Sequence, residues 1–249
     1  MNNNFEKPRI LILWSGTPDG GWSWPTMLVD NIINGTLNAT IAWLITHYPN
    51  WWVARLWKKH KDLFETRVIE GFPVRREWED FSKKQDAKIR RIYNREFVHF
   101  WWIDSIDFVI LSGWMKILLW CPVEKGVNVH PSRVDKNFWW VWKYWDKAHK
   151  HAFEAFQRWK ISKTAITMHF VDEEFDHWPV MAQREIDLRG CLSWQDAKAR
   201  VVWETEHEFQ LAVMQVLLLW KVALIDWKVV WDKDFQFDNP DYYKGEIIW

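Results

Sequence analysis

The chain has 249 residues, and its 33 lysines and arginines balance 33 aspartates and glutamates, which gives a formal net charge of zero at pH 7. This length suits one α/β domain with a buried core. Zero net charge argues against a nucleic-acid or anionic-membrane binder that works through bulk electrostatics. Two cysteines cannot cross-link a chain of this length, and the first ten residues lack the apolar core of a signal peptide, so we expect a cytoplasmic protein.

The amino-acid composition departs from that of ordinary globular proteins in one respect. The chain contains 24 tryptophans and only nine glycines, whereas average usage, with glycine at roughly 7% of residues, would give about 17 glycines and few tryptophans. Turns need glycine at positions of positive φ, because a Cβ atom is strained there. The composition therefore indicates that tryptophan stands at places where glycine is normally found.

In chain order, the N-terminal half shows short apolar runs that alternate with amphipathic stretches. Arg9–Leu13 predicts a first strand, the small residues of Ser15–Ser23 predict a loop, and Met27–Ile33 predicts an amphipathic helix. The remaining predicted elements of this half are the strands Ala39–Ile45, Thr66–Ile69 and Phe108–Leu111 and the helices Val53–His60 and Asp80–Phe97.

The C-terminal half continues the alternation and ends in two short strands. Its predicted elements are the strand Val127–Val129, the helix His151–Arg158, the strand Ala165–Val171, the edge strand Val180–Leu188, the long helix Trp194–Leu219 and the hairpin Val222–Ile225 with Val229–Trp231. Strands that alternate with helices are typical of a doubly wound α/β fold with a mostly parallel sheet. We therefore predict one α/β domain of this class, with a short C-terminal β-hairpin.

Two segments place polar groups where an α/β sheet binds its ligands, outside the carboxyl ends of its strands. The backbone N–H groups of the loop Ser15–Ser23, next to a helix N-terminus, could form a phosphate cradle, although a plain strand-to-helix connection looks the same. Asn128 and His130 end an inner strand and project to the same side, because side chains alternate along a strand. An amide donor and an imidazole aimed at one point suit the oxyanion of acyl transfer, but such a pair can also be structural.

A third segment, Asp172–Asp176, places several carboxylates in the loop after the strand Ala165–Val171. A carboxylate beside the amide and imidazole pair could hold a histidine in its charged form or relay a proton through water, whereas most such carboxylates are simply solvated. His149 is expected to be a solvated histidine near a helix start. A metal site is a further alternative, but its spacing matches no standard ligand pattern, so we predict no metal. The residues of that alternative are His130, His169, Asp176 and His177.

Five segments carry a resemblance to a known family, and they follow one another in that family's order over most of the chain. They are Ile10–Gly16 (ILILWSG), Leu111–Leu118 (LSGWMKIL), Asn128–Ser132 (NVHPS), Thr167–Pro179 (TMHFVDEEFDHWP) and Ala199–His207 (ARVVWETEH). The chain thereby resembles the phosphoribosylglycinamide formyltransferases of the folate-dependent formyltransferase superfamily. The second to fourth segments are the specific ones, and the region between Thr66 and Asp107 matches poorly.

The resemblance implies an activity and a mechanism. A formyl group would pass from 10-formyltetrahydrofolate to the amine of glycinamide ribonucleotide, in purine biosynthesis, by direct attack of the amine on the formyl carbon. Asn128, His130 and Asp176 fall on the catalytic asparagine, histidine and aspartate of the family. Asn128 and a protonated His130 would stabilise the oxyanion. Asp176 would support His130 and help to move the proton.

The same resemblance implies the domain organisation and the binding residues. We expect a single Rossmann-like formyltransferase domain over residues 1–249, with a phosphate-binding half at 1–120 and a catalytic and folate-binding half at 121–249. Trp203 stands where the family has a polar ribose contact. The implied folate-binding residues are Met115, Lys116, Ile117, Leu118, Val171 and Glu173. The implied phosphate- and ribose-binding residues are Gly20, Gly21, Trp22, Ser23 and Glu206.

The alternative functions are three other enzymes that act on folate-bound formyl groups and one protein without catalytic activity. A methionyl-tRNA formyltransferase would carry a further C-terminal domain and a basic surface, and a formyltetrahydrofolate hydrolase would carry an N-terminal regulatory domain. An amino-sugar N-formyltransferase also binds a phosphorylated ligand, so the sequence does not exclude it. A non-catalytic folate- or nucleotide-binding relic is the alternative if the tryptophans are real. We expect small-molecule substrates, no nucleic-acid or membrane partner, and a monomer or a homodimer.

Many tryptophans occupy sequence positions that call for glycine. The dipeptide Asp226-Trp227 joins two predicted strands, where Asp-Gly is a preferred two-residue turn, and Trp22 and Trp24 lie in the predicted phosphate loop. We hypothesise that a triplet which the source organism reads as glycine is written here as tryptophan, with Trp114 and Trp231 as genuine tryptophans. A true aromatic-rich surface is the alternative. Further candidates are Trp51, Trp52, the tryptophans of Phe138–Trp145, and Trp178.

Overall fold

The computed structural model describes residues 6–15, 23–47, 59–70, 83–97, 106–114, 116, 118–132, 146–173 and 179–245. The chain separates into two compact units, Met1–Gly126 and Val127–Trp249. The sequence predicts that the phosphate-binding half ends at residue 120, which is six residues before the boundary between these units. Whether residues 1–249 act as one domain stays a prediction.

The first unit is built on parallel strands in the order β3-β2-β1-β4. The central strand β1 is a continuous apolar run, and Ile10, Leu11, Ile12 and Leu13 are fully buried. An apolar run of this kind is typical of a parallel strand covered on both faces. The bounds of the four strands are β1 Arg9–Trp14, β2 Thr40–Thr46, β3 Glu65–Val68 and β4 Phe108–Ser112.

Two helices of the first unit lie wholly within the described residues, α1 (Ser23–Ile33) and α2 (Lys83–Glu96). The predicted helix Val53–His60 lies outside them except for its helical residues 59 and 60. Helix α2 buries Ile89 and Tyr93 and is otherwise rich in charged residues, so the predicted solvated helix with one buried stripe is confirmed. Helix α1 begins earlier than predicted and contains Trp24, which is buried. The prediction that Trp24 lies in the preceding loop is therefore wrong.

The second unit pairs its strands antiparallel, in the order β5-β6-β7-β10. Strand β7 was expected at an edge, but it pairs with β6 on one side and with the C-terminal strand β10 on the other. The expectation fails because the pairing partner, β10, is only three residues long and has no strand-like pattern of its own. The bounds are β5 Gly126–His130, β6 Lys163–Phe170, β7 Val180–Asp187 and β10 Tyr242–Lys244.

In the described part of this unit the helices are α3 (Asp146–Gln157), α4 (Trp194–Val201) and α5 (His207–Leu218). A π-helix, Val202–Glu206, separates α4 from α5, so the predicted continuous helix is interrupted. The predicted hairpin is confirmed as β8 and β9, whose bounds are Val222–Ile225 and Lys228–Trp231.

The predicted α/β class, with a Rossmann-like parallel sheet and a short C-terminal hairpin, is thus confirmed, and the second unit adds antiparallel strands to it. No helix in the described ranges is both long and apolar enough to cross a membrane.

Helix α4 starts with a capping box, which gives a direct test of the local structure. The Ser193 hydroxyl accepts a hydrogen bond from the backbone N–H of Asp196 at 3.1 Å, and the Asp196 carboxylate accepts one from the backbone N–H of Ser193 at 3.0 Å. We expect Ser193→Ala to lower the free energy of unfolding by about 1 kcal/mol, because one helix N–H loses its partner. Urea denaturation measures the change. Exposed Ser162 serves as the control, and an equal loss for Ser162→Ala would contradict the capping role.

Candidate active site

The register between β5 and β6 places four polar side chains on one face of the second unit's sheet. Asn128 lies directly opposite His169, and His130 lies opposite Thr167. Side chains alternate along each strand, so all four project to the same side. His130, Thr167 and His169 are buried, and Asn128 is half-buried. The predicted pair Asn128 and His130 is therefore confirmed in its placement and is joined by two residues of the neighbouring strand.

Thr167 connects this face to its surroundings through two hydrogen bonds. Its hydroxyl donates to the carbonyl oxygen of Ser132 at 2.9 Å, and it accepts from the Nε2 amide of Gln183 at 2.9 Å. Ser132 follows the carboxyl end of β5, and Gln183 lies opposite Thr167 on β7. A fully buried hydroxyl with both a donor and an acceptor partner holds three chain segments in fixed positions. Thr167 therefore fixes the backbone just after His130.

His169 is a site residue that the sequence analysis considered only in the metal alternative. Its Nδ1 lies 2.9 Å from the carbonyl oxygen of Phe170, and because a carbonyl can only accept, Nδ1 carries the proton. In the neutral ring Nε2 is then the acceptor nitrogen. The signal that could have found His169 is the spacing Thr167-x-His169 on a strand next to Asn128-x-His130, but the antiparallel register that aligns the two pairs is not visible in the sequence.

His149 is buried, so the expectation of a solvated histidine is wrong. It lies on α3, and burial, followed by the charge of Lys198, lowers its pKa from 6.5 to about 4. The nearby Asp146 opposes the shift, while His130 adds to it. Asp146 accepts a hydrogen bond from the Lys198 ammonium at 2.6 Å, which links α3 to α4. Burial therefore favours the neutral form of His149, and a positive charge on His130 would disfavour protonation of His149 further.

Glu206 ends the π-helix, and its carboxyl is desolvated although the side chain as a whole is only partly buried. Burial raises its pKa from 4.5 to about 7, and a hydrogen bond from Gln210 opposes the shift. Gln210 donates through Nε2 to Glu206 Oε1 at 2.9 Å. Short π-helices often occur at functional sites because they redirect side chains that an α-helix would leave on another face. The structure thus gives the predicted ribose-binding Glu206 an unusual environment for a carboxylate.

The first unit carries its own polar group at the carboxyl ends of β1, β2 and β4. His47 Nε2 lies 2.8 Å from the Ser15 hydroxyl oxygen. The His47 and Trp114 rings pack edge to face, with their centroids 5.2 Å apart. Burial, followed by the charge of buried Lys116, lowers the pKa of His47 from 6.5 to about 4. Trp114 Nε1 donates to the Tyr93 hydroxyl at 3.1 Å. The residues Ser15 and Lys116 belong to predicted segments, whereas His47 was missed.

The other predicted site residues are placed as follows. Leu118 and Val171 are buried, Glu173 is exposed, and Ser23 is the first residue of α1. Among the residues that the structure describes, no group of three or more histidines, cysteines or carboxylates could hold a metal ion. Predicted residues that lie outside the described ranges are Gly20, Gly21, Trp22, Trp51, Trp52, Met115, Ile117, the stretch Phe138–Trp145, Asp176, His177 and Trp178.

An amide and an imidazole on one buried face can donate hydrogen bonds to an oxygen that gains negative charge. That is the requirement of transfer at a carbonyl carbon, in which a tetrahedral oxyanion forms and collapses. The structure thus combines an α/β fold with an amide and an imidazole on one face of its sheet.

The chain belongs to the formyl transferase family, because the model of the family described as "Formyl transferase" matches residues 8–214. It is 31% identical over 134 residues to the chloroplastic phosphoribosylglycinamide formyltransferase of Vigna unguiculata and 28% identical over 132 residues to that of Glycine max. Each match covers 52% of this chain, but only 39% and 41% of the respective relative's length. The phosphoribosylglycinamide formyltransferase of Escherichia coli (strain K12) is 27% identical over 50% of this chain and 56% of its own length.

Solved structures support the same fold. Glycinamide ribonucleotide transformylase 1 from Symbiobacterium toebii superposes with a TM-score of 0.64 at 17% identity, covering 93% of this chain and 97% of that one. A formyltetrahydrofolate deformylase from Pseudomonas syringae pv. tomato str. DC3000 superposes with a TM-score of 0.62 at 18% identity, covering 91% of this chain and 66% of that one. At these identities the likeness concerns the fold alone.

Replacing Glu206 tests its raised pKa. A carboxyl whose folded pKa lies above its unfolded value stabilises the protein only while protonated, so this contribution is lost as pH rises from about 4.5 through about 7. We expect the free energy of unfolding of Glu206→Gln, minus that of the parent, to rise by about 2 kcal/mol between pH 5 and pH 8. The variant should therefore be the more stable protein at pH 8. Urea denaturation at both pH values measures it. The control is Glu204→Gln, an exposed residue of the same π-helix; parallel behaviour of Glu206→Gln and Glu204→Gln would refute the prediction.

Replacing Thr167 tests the hydrogen bonds that hold the candidate site. Thr167→Val keeps the shape of the side chain but leaves the Ser132 carbonyl and the Gln183 amide without this partner, so we expect a loss of about 1–3 kcal/mol in the free energy of unfolding. The matched control is Thr164→Val, which is buried on the opposite face of the same strand and for which we expect little change. Equal losses for the two variants, measured by thermal or urea denaturation, would count against the network.

Proposed function

We propose that the chain transfers the formyl group of 10-formyltetrahydrofolate to the amine of glycinamide ribonucleotide, a step of purine biosynthesis. The observation that carries the proposal is the joint placement of Asn128 and His130 on one face of β5, opposite His169 and Thr167 of β6, in a chain of the formyl transferase family. The names of the curated relatives support this acceptor.

In the proposed reaction the substrate amine forms a new bond to the formyl carbon, and the carbonyl oxygen becomes an oxyanion. The Asn128 amide and a protonated His130 donate hydrogen bonds to that oxygen and lower the energy of the tetrahedral intermediate. Collapse of the intermediate breaks the bond between the formyl carbon and N10 of the folate. One amine proton leaves and N10 gains one, so the products are the formylated amide and tetrahydrofolate. Asp176 is the proposed carrier of that proton, in support of His130.

The proposal assigns the remaining predicted residues to the two substrates. Gly20, Gly21 and Trp22 come directly before α1 in the sequence, and Ser23 is its first residue. Backbone N–H groups at a helix N-terminus bind phosphate well. Glu206 is assigned to the ribose hydroxyls, for which an ionised carboxylate is the better acceptor. The proposed folate-binding residues are Met115, Lys116, Ile117, Leu118, Val171 and Glu173. A cytoplasmic location, a monomer or homodimer, and the absence of nucleic-acid partners stay predictions.

A second candidate function is hydrolysis of the formyl donor, in which water takes the place of the amine. We consider it because structures of formyltetrahydrofolate deformylases share this fold, with TM-scores of 0.62 and 0.58. Both reactions need an oxyanion donor, so the residues on β5 do not distinguish them. An amino-sugar N-formyltransferase would differ only in its acceptor.

The acceptor is identified by supplying purified protein with 10-formyltetrahydrofolate and one of three solutions: glycinamide ribonucleotide, an amino-sugar nucleotide, or buffer alone. Production of tetrahydrofolate is followed in each, together with the formylated product. We expect rapid turnover only with glycinamide ribonucleotide. Equal turnover in buffer alone would establish the hydrolase instead, and turnover with the sugar nucleotide alone would establish the sugar enzyme.

Removal of the imidazole separates catalysis from binding. We expect His130→Ala to lower kcat by roughly 10²–10⁴-fold, because the oxyanion loses a donor, while the affinity for the folate changes little. The affinity is measured by titration with an unreactive folate analogue. His151→Ala, a half-buried histidine of α3, is the control and should keep its activity. If parent and His130→Ala turn over equally, His130 has no catalytic role.

A further inference from the structure

Within the described ranges, the residues other than glycine with positive φ are Asp226 and four tryptophans. The tryptophans are Trp120, Trp159, Trp220 and Trp227, with φ of 57°, 59°, 57° and 63°. In this left-handed region the Cβ atom of an L-residue crowds the following carbonyl oxygen, so glycine is the usual occupant, and asparagine and aspartate are the usual exceptions. A bulky aromatic residue is therefore out of place at every one of these positions.

Trp159 occupies the glycine position of a Schellman motif at the end of α3. The backbone N–H of Trp159 bonds the carbonyl of Phe156 at 2.9 Å, and the N–H of Lys160 bonds the carbonyl of Ala155 at 3.0 Å. These two bonds, 5→2 and 6→1, define the motif, and its left-handed residue is usually glycine. The Trp159 side chain is 92% exposed, so packing of the ring gives no compensation for the strain.

Trp220 occupies the same position after α5. Its N–H bonds the carbonyl of Leu217 at 2.9 Å, and the N–H of Lys221 bonds the carbonyl of Val216 at 3.0 Å. The end of α1 provides an internal reference, because the residue at the equivalent position there is a real glycine, Gly35, with φ of 82°. After each of these three helices a left-handed residue donates its N–H to the carbonyl three residues earlier, and this residue is glycine after α1 but tryptophan after α3 and α5. The 6→1 bond is formed after α3 and α5, whereas after α1 the carbonyl of Asn31 accepts from Leu37 instead.

Trp227 lies in the two-residue turn between β8 and β9. Asp226 and Trp227 both have positive φ, at 49° and 63°, which is the conformation of a type I′ turn. Asp-Gly is one of the preferred sequences of this turn because both residues must adopt left-handed conformations. The Trp227 side chain is 52% exposed at the tip of the hairpin.

Two other tryptophans show what a tryptophan-specific position looks like in this protein. Trp114 is buried and donates from Nε1 to the Tyr93 hydroxyl at 3.1 Å. Trp231 lies on β9, and its ring stacks on Phe235 at 5.5 Å. Neither has a positive φ. Trp120 combines features of both groups. Its backbone is left-handed, but its side chain is half-buried and its ring packs against Tyr93.

We propose that Trp159, Trp220 and Trp227 are glycines in the protein that the source organism makes, because one triplet written here as tryptophan is decoded there as glycine. The proposal rests on backbone geometry and does not depend on the proposed function. The same decoding bears on function through sequence positions where glycine is needed, such as Trp22 between Gly21 and Ser23 of the predicted phosphate loop. A glycine there would allow the backbone to approach a phosphate group closely.

Peptide mass spectrometry on the protein isolated from its own source tests the proposal. Trypsin cuts after Lys221, Lys228 and Lys233, so two adjacent peptides, Val222–Lys228 and Val229–Lys233, each contain one tryptophan as written. We expect the first to have the mass of a peptide with glycine at position 227 and the second to keep Trp231. Tryptophan at position 227 would overturn the proposal, and glycine at position 231 would overturn the distinction drawn from the geometry.

The stability of variants of the chain as written gives an independent test. We expect Trp159→Gly, Trp220→Gly and Trp227→Gly each to raise Tm by roughly 2–4 °C, because glycine removes the strain of a positive φ. The matched control is Trp203→Gly, in which the tryptophan is also exposed but lies within the π-helix and does not have a positive φ. Glycine should lower Tm there. A fall in Tm for the three turn variants, or the same change in all four, would contradict the assignment of these turns to glycine.

Discussion

The antiparallel pairing of β5 with β6 is the constraint on which the candidate site depends. It sets Asn128 opposite His169 and His130 opposite Thr167, so that the polar side chains of two strands share one face. Because the side-chain period of a strand is two, a slip of one residue in either strand would turn its polar pair to the opposite face. Thr167 opposes such a slip because its hydroxyl bonds Ser132, just after β5, on one side and Gln183, within β7, on the other. The chemistry proposed for this chain therefore rests on strand register.

Burial favours the neutral forms of three ionisable side chains in this protein. It lowers the pKa of His47 and of His149 to about 4 and raises that of Glu206 to about 7. In each case loss of hydration is the largest cause, because a charged group is stabilised by water that a buried site lacks. Groups with shifted pKa values of this kind are frequent at functional sites, since the same dry surroundings strengthen hydrogen bonds to a developing charge. A proposed ribose contact at Glu206 would be tuned by pH near neutrality.

Much of the fold was predictable from the sequence because its signals are local. Continuous apolar runs identify β1 and β4, and Asp226-Trp227 between two apolar segments identifies the hairpin even with an unfavourable residue in the turn. The antiparallel order of β6, β7 and β10 was not predictable, since pairing is decided by contacts between distant segments. The π-helix was missed for a related reason: one inserted residue leaves the amphipathic pattern of Trp194–Leu219 almost unchanged. The candidate residues on β5 were found because their spacing of two reports a shared face directly, whereas the burial of His149 depends on packing between helices.

The most direct test of the central claim is a structure of the protein with glycinamide ribonucleotide and a non-reactive analogue of 10-formyltetrahydrofolate. The account predicts that the oxygen of the formyl position lies within about 3 Å of both the Asn128 amide nitrogen and the His130 ring, with the substrate amine on the other side of the formyl carbon. A complex in which that oxygen contacts neither residue would contradict the account, whatever the overall fold.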